Sequence, residues 1–237
     1  MVGETRLRAI RAVARALSRA YGDPGRQARS SPLDGLIGTL LSQNTTSTNA
    51  SAAFHELKRR CPTWEDCLRA GVAVVRRAIR SAGLAEIRAP RILAILRRLR
   101  DERGALSLDF LCDAPVAEAR AYLESFPGVG PKTASCVLLF ECRRAVFPVD
   151  THVARITRRL GWVPEPMSAE VIQVALEPII PAELRHALHV ALIAHGRKLC
   201  RPRAPQCEVC PILRYCPTGQ AGAGRLTTRR GGRASCG

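Results

Sequence analysis

The chain has 237 residues, 46% of them hydrophobic, which excludes a disordered polypeptide and leaves room for one large domain or two small ones. A formal net charge of +17 implies an anionic partner, with nucleic acid ahead of a membrane surface, and no apolar run is long enough to span a bilayer. Aromatic residues make up only 4%, so the core must be built from Leu, Ile, Val and Ala.

In chain order the pattern is helical nearly throughout. Leu7, Ile10, Val13 and Leu17 recur every three to four residues, predicting a helix near residues 4–21 that stops at Gly22-Asp23-Pro24-Gly25. The same stretch is Arg-rich and acid-poor, like a transit peptide, but its periodicity favours a structural helix. Ser31-Pro32 opens a second helix over 33–41, and a third covers about 47–60. Shorter helices follow near 64–70 and 72–81, with Gly71 and Gly83 as breaks. A longer helix over 87–103 carries Ile92, Ile95, Leu96 and Leu99 on one face. Helices over 116–125 and 131–141 flank Pro127-Gly128-Val129-Gly130-Pro131, and three more are expected near 151–160, 169–176 and 182–198. No stretch alternates with period two, so few or no strands are expected. The Gly-, Arg- and Thr-rich tail, 218–237, has little to bury and is expected to be disordered.

Three signals carry chemistry. In the hairpin 127–131, two glycines allow a sharp turn and close approach, and Pro131 suits the first position of the next helix. The N–H groups at that helix start suit a phosphate, without reading bases. Lys132 follows at once. Only three of the 37 basic residues are lysines, Lys58, Lys132 and Lys198. Arginine cannot lose its proton, whereas a neutral lysine is a nucleophile. The positive end of the helix dipole favours the neutral amine, and nearby phosphates oppose it. Eighteen residues on, Val149-Asp150-Thr151-His152 places Asp150 where a helix begins. It can serve as an N-cap, as a carboxylate for proton transfer and charge stabilisation, or as both. His152 either contacts DNA or packs.

Ten cysteines are present. Six are scattered, Cys61, Cys67, Cys112, Cys136, Cys142 and Cys236, and a disulfide scaffold is not expected. Four stand as Cys200-x6-Cys207-x2-Cys210-x5-Cys216, a thiolate metal site. Spacing alone leaves zinc and a [4Fe–4S] cluster both open. Arg201 and Arg203, between the first two ligands, would then be presented rigidly to phosphate.

These elements, with His195-Gly196-Arg197 before the cysteine set, closely resemble the endonuclease III family of helix–hairpin–helix glycosylases over about residues 5–217. The resemblance implies an all-α, two-domain protein with a DNA-binding cleft. A six-helix barrel domain would span 25–145. Residues 1–24 and 146–217 would form an iron–sulfur cluster domain, leaving 218–237 as a basic tail. It implies a bifunctional DNA glycosylase/AP lyase in which Lys132 attacks C1′ of a flipped, damaged pyrimidine nucleotide and Asp150 assists. The base leaves, a Schiff base forms and β-elimination nicks the strand.

The implied cofactor is a [4Fe–4S] cluster on Cys200, Cys207, Cys210 and Cys216. The implied partner is double-stranded DNA bearing damaged pyrimidines or abasic sites, bound by a monomer in a prokaryotic cytoplasm. DNA contacts are expected from Gly128, Val129, Gly130, Thr133, His152, Arg201 and Arg203. The segment Leu40-Leu41-Ser42-Gln43-Asn44-Thr45-Thr46 matches the family loop that fills the gap left by the flipped base, and Leu84 matches a second intruding residue. Many members have Gln where Asn44 aligns, so either Gln43 or Asn44 fills the gap.

Lys132 separates this chain from adenine and thymine-mismatch glycosylases of the same fold, which lack or replace it. From other classes, a catalytically silent DNA-binding relative and a zinc-stapled DNA-binding protein remain. The second predicts a colourless protein without lyase activity.

Overall fold

The computed structural model describes residues 2–25 and 30–221. Among them every regular element is helical. In order they are α1 (Val2–Tyr21), α2 (Pro32–Ser42), α3 (Ser47–Arg60), α4 (Trp64–Ala78), α5 (Ala85–Arg103), α6 (Val116–Glu124), α7 (Pro131–Phe140), α8 (Thr151–Arg159), α9 (Ala169–Leu176) and α10 (Arg185–Lys198). Local chemistry explains the starts. The hydroxyls of Ser31, Thr46, Thr63 and Ser168 each accept an N–H of the first turn that follows, supplying bonds the helix cannot make for itself. Thr63 and Asp66 complete a reciprocal capping box. Gly71 has φ 75° and interrupts α4, which is the break its position in the sequence predicts.

The chain divides into two compact units, Ala28–Arg144 and Met1–Gln27 with Ala145–Gly237. The first holds α2–α7. Its core is aliphatic, with Leu33, Leu36, Ile37, Leu41, Leu57, Ile79, Ile92, Leu93 and Ile95 fully buried. Each such side chain contributes roughly 1.5–3 kcal/mol. Gly35 lets α2 approach the end of α7, since a Cβ there would stand 2.4 Å from Cγ of Glu141. Glu141 in turn accepts the N–H and hydroxyl of Ser30.

The second unit packs α1, α8, α9 and α10 around Ile10, Val13, Leu17, Phe147, Val153, Ile156, Trp162, Ile172, Leu176, Leu188 and Leu192. Three of the four positions that predict α1 from periodicity, Ile10, Val13 and Leu17, are fully buried. The first helix is therefore a packed element of this unit.

Two expectations need correction. Cys112 and Cys142 form a disulfide that ties the loop before α6 to the segment after α7. It is one crosslink closing a 30-residue separation rather than a scaffold, and spacing in the sequence did not reveal it. Second, the expected disordered tail starts too early. Residues 217–221 are helical, because Gly219 N–H reaches Cys216 Sγ at 3.3 Å and Gln220 Nε2 donates to the carbonyls of Leu213 and Arg214. The remainder of that tail, 222–237, lies outside the described residues.

Candidate nucleic-acid interface and metal centre

In the α2–α7 unit the chain leaves α6 and turns through residues 125–130 into α7. Val129 N–H donates to Phe126 O at 3.1 Å, and both side chains are buried, so Val129 secures the turn rather than facing outward. Gly128 takes φ +82°, and a Cβ there would meet the Arg91 guanidinium at 2.9 Å. The positive φ is what favours glycine here, since the Arg91 side chain could move aside. Arg98 Nη1 holds the turn from below, donating to Ser125 O at 3.1 Å and Ser125 Oγ at 2.9 Å.

At Gly130 nothing lies within 4 Å of an added Cβ. The N–H groups at the start of α7 receive no side-chain cap, the condition under which a helix start can take an anion.

Lys132 is the second residue of α7 and half-buried. Its contrast with the other two lysines is informative. Lys58 pairs with Asp34 at 3.5 Å and lies 4.3 Å over the Trp64 ring. Lys198 lies 5.3 Å over the Tyr21 ring. Among the described residues Lys132 has no hydrogen-bond, ion-pair or ring partner. Thr133 beside it is buried and accepts a bond from Gln43 Nε2 at 3.3 Å.

Gln43 also donates to Gly128 O at 3.2 Å. Its amide is thus committed to the hairpin, whereas Asn44 is exposed and left-handed, at φ 51°. Leu84 is likewise left-handed at φ 51°, and 54% exposed.

In the other unit Asp150 is the N-cap of α8, its Oδ1 accepting Val153 N–H at 2.8 Å. Oδ2 has no partner among the described residues. His152 packs against Gly196, where an added Cβ would meet Nδ1 at 2.7 Å, and that nitrogen stands 3.0 Å from Arg155 Nη2.

Cys200, Cys207, Cys210 and Cys216 line one cavity of about 230 Å³, walled by Ile156, Leu160, Leu199, Ile212 and Leu213. Arginines of α8 secure the loop that carries them. Arg155 Nη2 donates to Cys200 O at 2.8 Å. Arg159 donates to Cys200 Sγ at 3.1 Å, Arg201 O at 2.9 Å and Pro202 O at 3.0 Å. Arg201 and Arg203 are exposed.

Burial pushes the Cys210 and Cys216 thiols up, with the other cysteines adding, so both hold their protons at neutral pH unless a cation replaces them. His195 is pushed down to about 4 by burial and then by the Arg155 charge, and is neutral. Tyr21 Oη lies 2.8 Å from His195 Nδ1. With the phenol as donor, Nε2–H faces Cys210 Sγ, 3.7 Å away. Among the described residues no group of three or more His, Cys, Asp or Glu could hold a single metal ion.

Sequence reasoning missed the arginines that fix these parts. Arg155 and Arg159 stand at i,i+4 on α8, a spacing that signals one shared face. Arg91 and Arg98 stand seven apart on α5, and Arg88 lies one turn before Ile92 on the face assigned to the core.

Comparison with known proteins gives a consistent answer. A family described as HhH-GPD superfamily base excision DNA repair protein matches residues 37–181. An Arabidopsis thaliana protein carrying the provisional name of a DNA glycosylase is 47% identical over 170 residues, 72% of this chain and 58% of that protein. Endonuclease III of Sulfolobus acidocaldarius is 35% identical over 185 residues, 76% of this chain and 79% of that protein. The DNA glycosylase/AP lyase ROS1 of Arabidopsis thaliana is 34% identical over 170 residues. The chain spans only 58% of the first plant relative and 12% of ROS1. Among solved structures, a non-covalent endonuclease III–DNA complex superposes with a TM-score of 0.78 at 27% identity, covering 92% of this chain and 98% of that one.

Proposed function

We propose, from the premise that this chain belongs to the endonuclease III family within the HhH-GPD superfamily of base excision DNA repair proteins, that it is a DNA glycosylase and AP lyase. Its substrates are oxidised pyrimidines in duplex DNA. The observation that carries this reading is the Lys132 amine. It stands at the uncapped start of α7 with no partner among the described residues, in a chain that otherwise uses arginine almost throughout.

The Lys132 amine attacks C1′ of the damaged nucleotide. The glycosidic C–N bond breaks and its electron pair leaves with the base, which takes a proton from water. The amine nitrogen gives its proton to the Asp150 carboxylate, whose Oδ1 caps α8 while Oδ2 is available. Opening of the sugar yields an imine. Water then takes a C2′ proton, the C–H electron pair forms a C2′=C3′ double bond, and the C3′–O bond breaks with its pair on the leaving phosphate, which nicks the strand. Gly128, Gly130 and the amides of α7 hold the backbone; Arg91, Arg201 and Arg203 add positive charge. Thr133 and Val129 support the turn from inside. Asn44 and Leu84 fill the gap left by the flipped nucleotide, and Gln43 positions Asn44.

The four cysteines fit a [4Fe–4S] cluster. One ion bound tetrahedrally at about 2.3 Å would bring the sulfurs to about 3.8 Å of one another. What supports a multi-atom group is that all four cysteines line one cavity, of about 230 Å³. Cys200, Cys207, Cys210 and Cys216 would hold the cluster, and it would supply iron–thiolate crosslinks to the loop that carries the exposed Arg201 and Arg203.

Borohydride trapping on duplex DNA with an abasic site tests the reading. A covalent adduct in the parent that disappears in Lys132→Ala supports it, and an undiminished adduct removes Lys132 as the nucleophile. A panel of defined lesions tests the preference for oxidised pyrimidines.

A further inference from the structure

We propose that Arg88 couples Asn44 and Leu84 into one two-pronged wedge, so that the two side chains enter duplex DNA as a rigid pair rather than independently. This rests on the reading above, in which both fill the gap beside a flipped nucleotide.

Arg88 is 4% exposed on the core face of α5. A buried guanidinium is costly unless its N–H groups are satisfied, and here backbone carbonyls satisfy them. Nη1 donates to Ala82 O at 2.7 Å and Gly83 O at 2.8 Å, and Nη2 donates to Gln43 O. Among the described residues it has no carboxylate partner. The three acceptors are not an arbitrary set. Gln43 immediately precedes Asn44, and Gly83 immediately precedes Leu84. One planar fork therefore grips the chain just before each exposed tip.

Both tips are non-glycine residues at φ 51°. That conformation is disfavoured for a residue with a Cβ, more so for Leu than for Asn, and it persists where surrounding contacts over-determine it. The two turns are thirty-nine residues apart in sequence, and the guanidinium is the group that bonds to both. On the far side, the Gln43 amide is fixed to Gly128 O and Thr133 Oγ1, so the coupled tips share a frame with the hairpin. Arg88 touches no reacting atom and is a positioning residue.

The test is a double-mutant cycle on the full chain, using a duplex with a tetrahydrofuran abasic analogue and the undamaged duplex as reference. Affinity is measured for the parent, Asn44→Ala, Leu84→Ala and the double variant. If the tips act together, the double variant loses at least about threefold less affinity than the product of the single losses, which is the non-additivity of directly coupled residues. In an Arg88→Met background the same cycle becomes multiplicative. A residue that only stabilises the fold would lower the melting temperature and leave the cycle unchanged. Arg88→Lys guards against misfolding of Arg88→Met, because one ammonium retains the charge without the planar fork. It too is expected to lose the non-additivity while staying folded by circular dichroism. A multiplicative cycle in the parent, or equal non-additivity with and without the guanidinium, overturns the proposal. A parent protein with no preference for the abasic duplex would instead sink the functional reading itself.

Discussion

The hairpin of the α2–α7 unit and the cysteine loop of the other unit are secured by the same device, arginine side chains donating to backbone carbonyls, yet they differ in what lies beneath. Under the hairpin the core is filled, with Leu123, Phe126, Val129, Ala134 and Val137 all buried. The glycine turn rests on packed hydrocarbon. Between residues 199 and 217 the chain forms only short helical turns, and the four thiols surround a cavity. Arg155 and Arg159 hold the first cysteine and the residues after it, whereas the side-chain contacts of Cys210 and Cys216 are made at sulfur, to His195 Nε2 at 3.7 Å and to Arg159 O and Gly219 N–H at 3.3 Å. The hairpin is self-supporting. On the proposed reading, the loop depends on a cluster held by its sulfurs.

The largest expected effect tests that dependence. Cys207→Ser with Cys210→Ser removes two of four ligands, and the free energy of binding a structural metal is folding free energy, on the order of 10 kcal/mol. The double variant should lose its iron and brown colour, and its α1/α8–α10 unit should fail to give a cooperative melting transition. A colourless variant with the parent's melting profile would break the comparison. A parent protein containing zinc and no iron would overturn the cluster reading.

Lys132→Ala should act on chemistry alone. Because the side chain has no partner among the described residues, the melting temperature should stay within about 2 °C of the parent, while the borohydride-trapped adduct falls by at least about 1,000-fold. A large drop in melting temperature would mean that the hairpin leans on this amine.

Asp150 separates two roles held by one carboxylate. Asn caps a helix about as well as Asp, so Asp150→Asn should leave stability within a few tenths of a kcal/mol and slow base excision by about 100-fold or more. Asp150→Ala should add a stability loss of about 1 kcal/mol, read by urea denaturation. Equal excision rates in the parent and Asp150→Asn would reduce Asp150 to a cap.

Much of this arrangement was legible in the sequence, for identifiable reasons. Periodicity and capping chemistry are local, so α3 and α9 appear at the predicted bounds, and the start of α7 is fixed by Gly130-Pro131. The scarcity of lysine singled out Lys132, and cysteine spacing singled out the loop. What escaped depended on contacts distant in sequence. Arg88 falls on the core face of α5, but its role is not legible until its fork is seen on Gln43, Ala82 and Gly83. That the Gln43 amide is bonded to the hairpin, while Asn44 is exposed, is likewise visible only in the fold. The Cys112–Cys142 bond joins segments that nothing in the spacing pairs. The helical turn at 217–221 is held by a cysteine sulfur that accepts the Gly219 N–H, a contact that hydrophobic patterning does not signal.

The smallest effect gives the sharpest test of the hairpin, because its two glycines serve different ends. At Gly128 an alanine would have to hold φ +82° and displace Arg91, so Gly128→Ala should cost about 1–2 kcal/mol of stability. At Gly130 φ is −104° and ψ 179°, which any residue adopts, and open space surrounds the new methyl. Gly130→Ala should therefore change stability by no more than about 0.5 kcal/mol. If glycine is there so that a phosphate can come close, the methyl should still weaken binding to undamaged duplex by a few fold and leave the salt slope unchanged, since no cation is removed. Unchanged affinity in Gly130→Ala would mean that DNA does not approach the hairpin at this point, whatever Lys132 does.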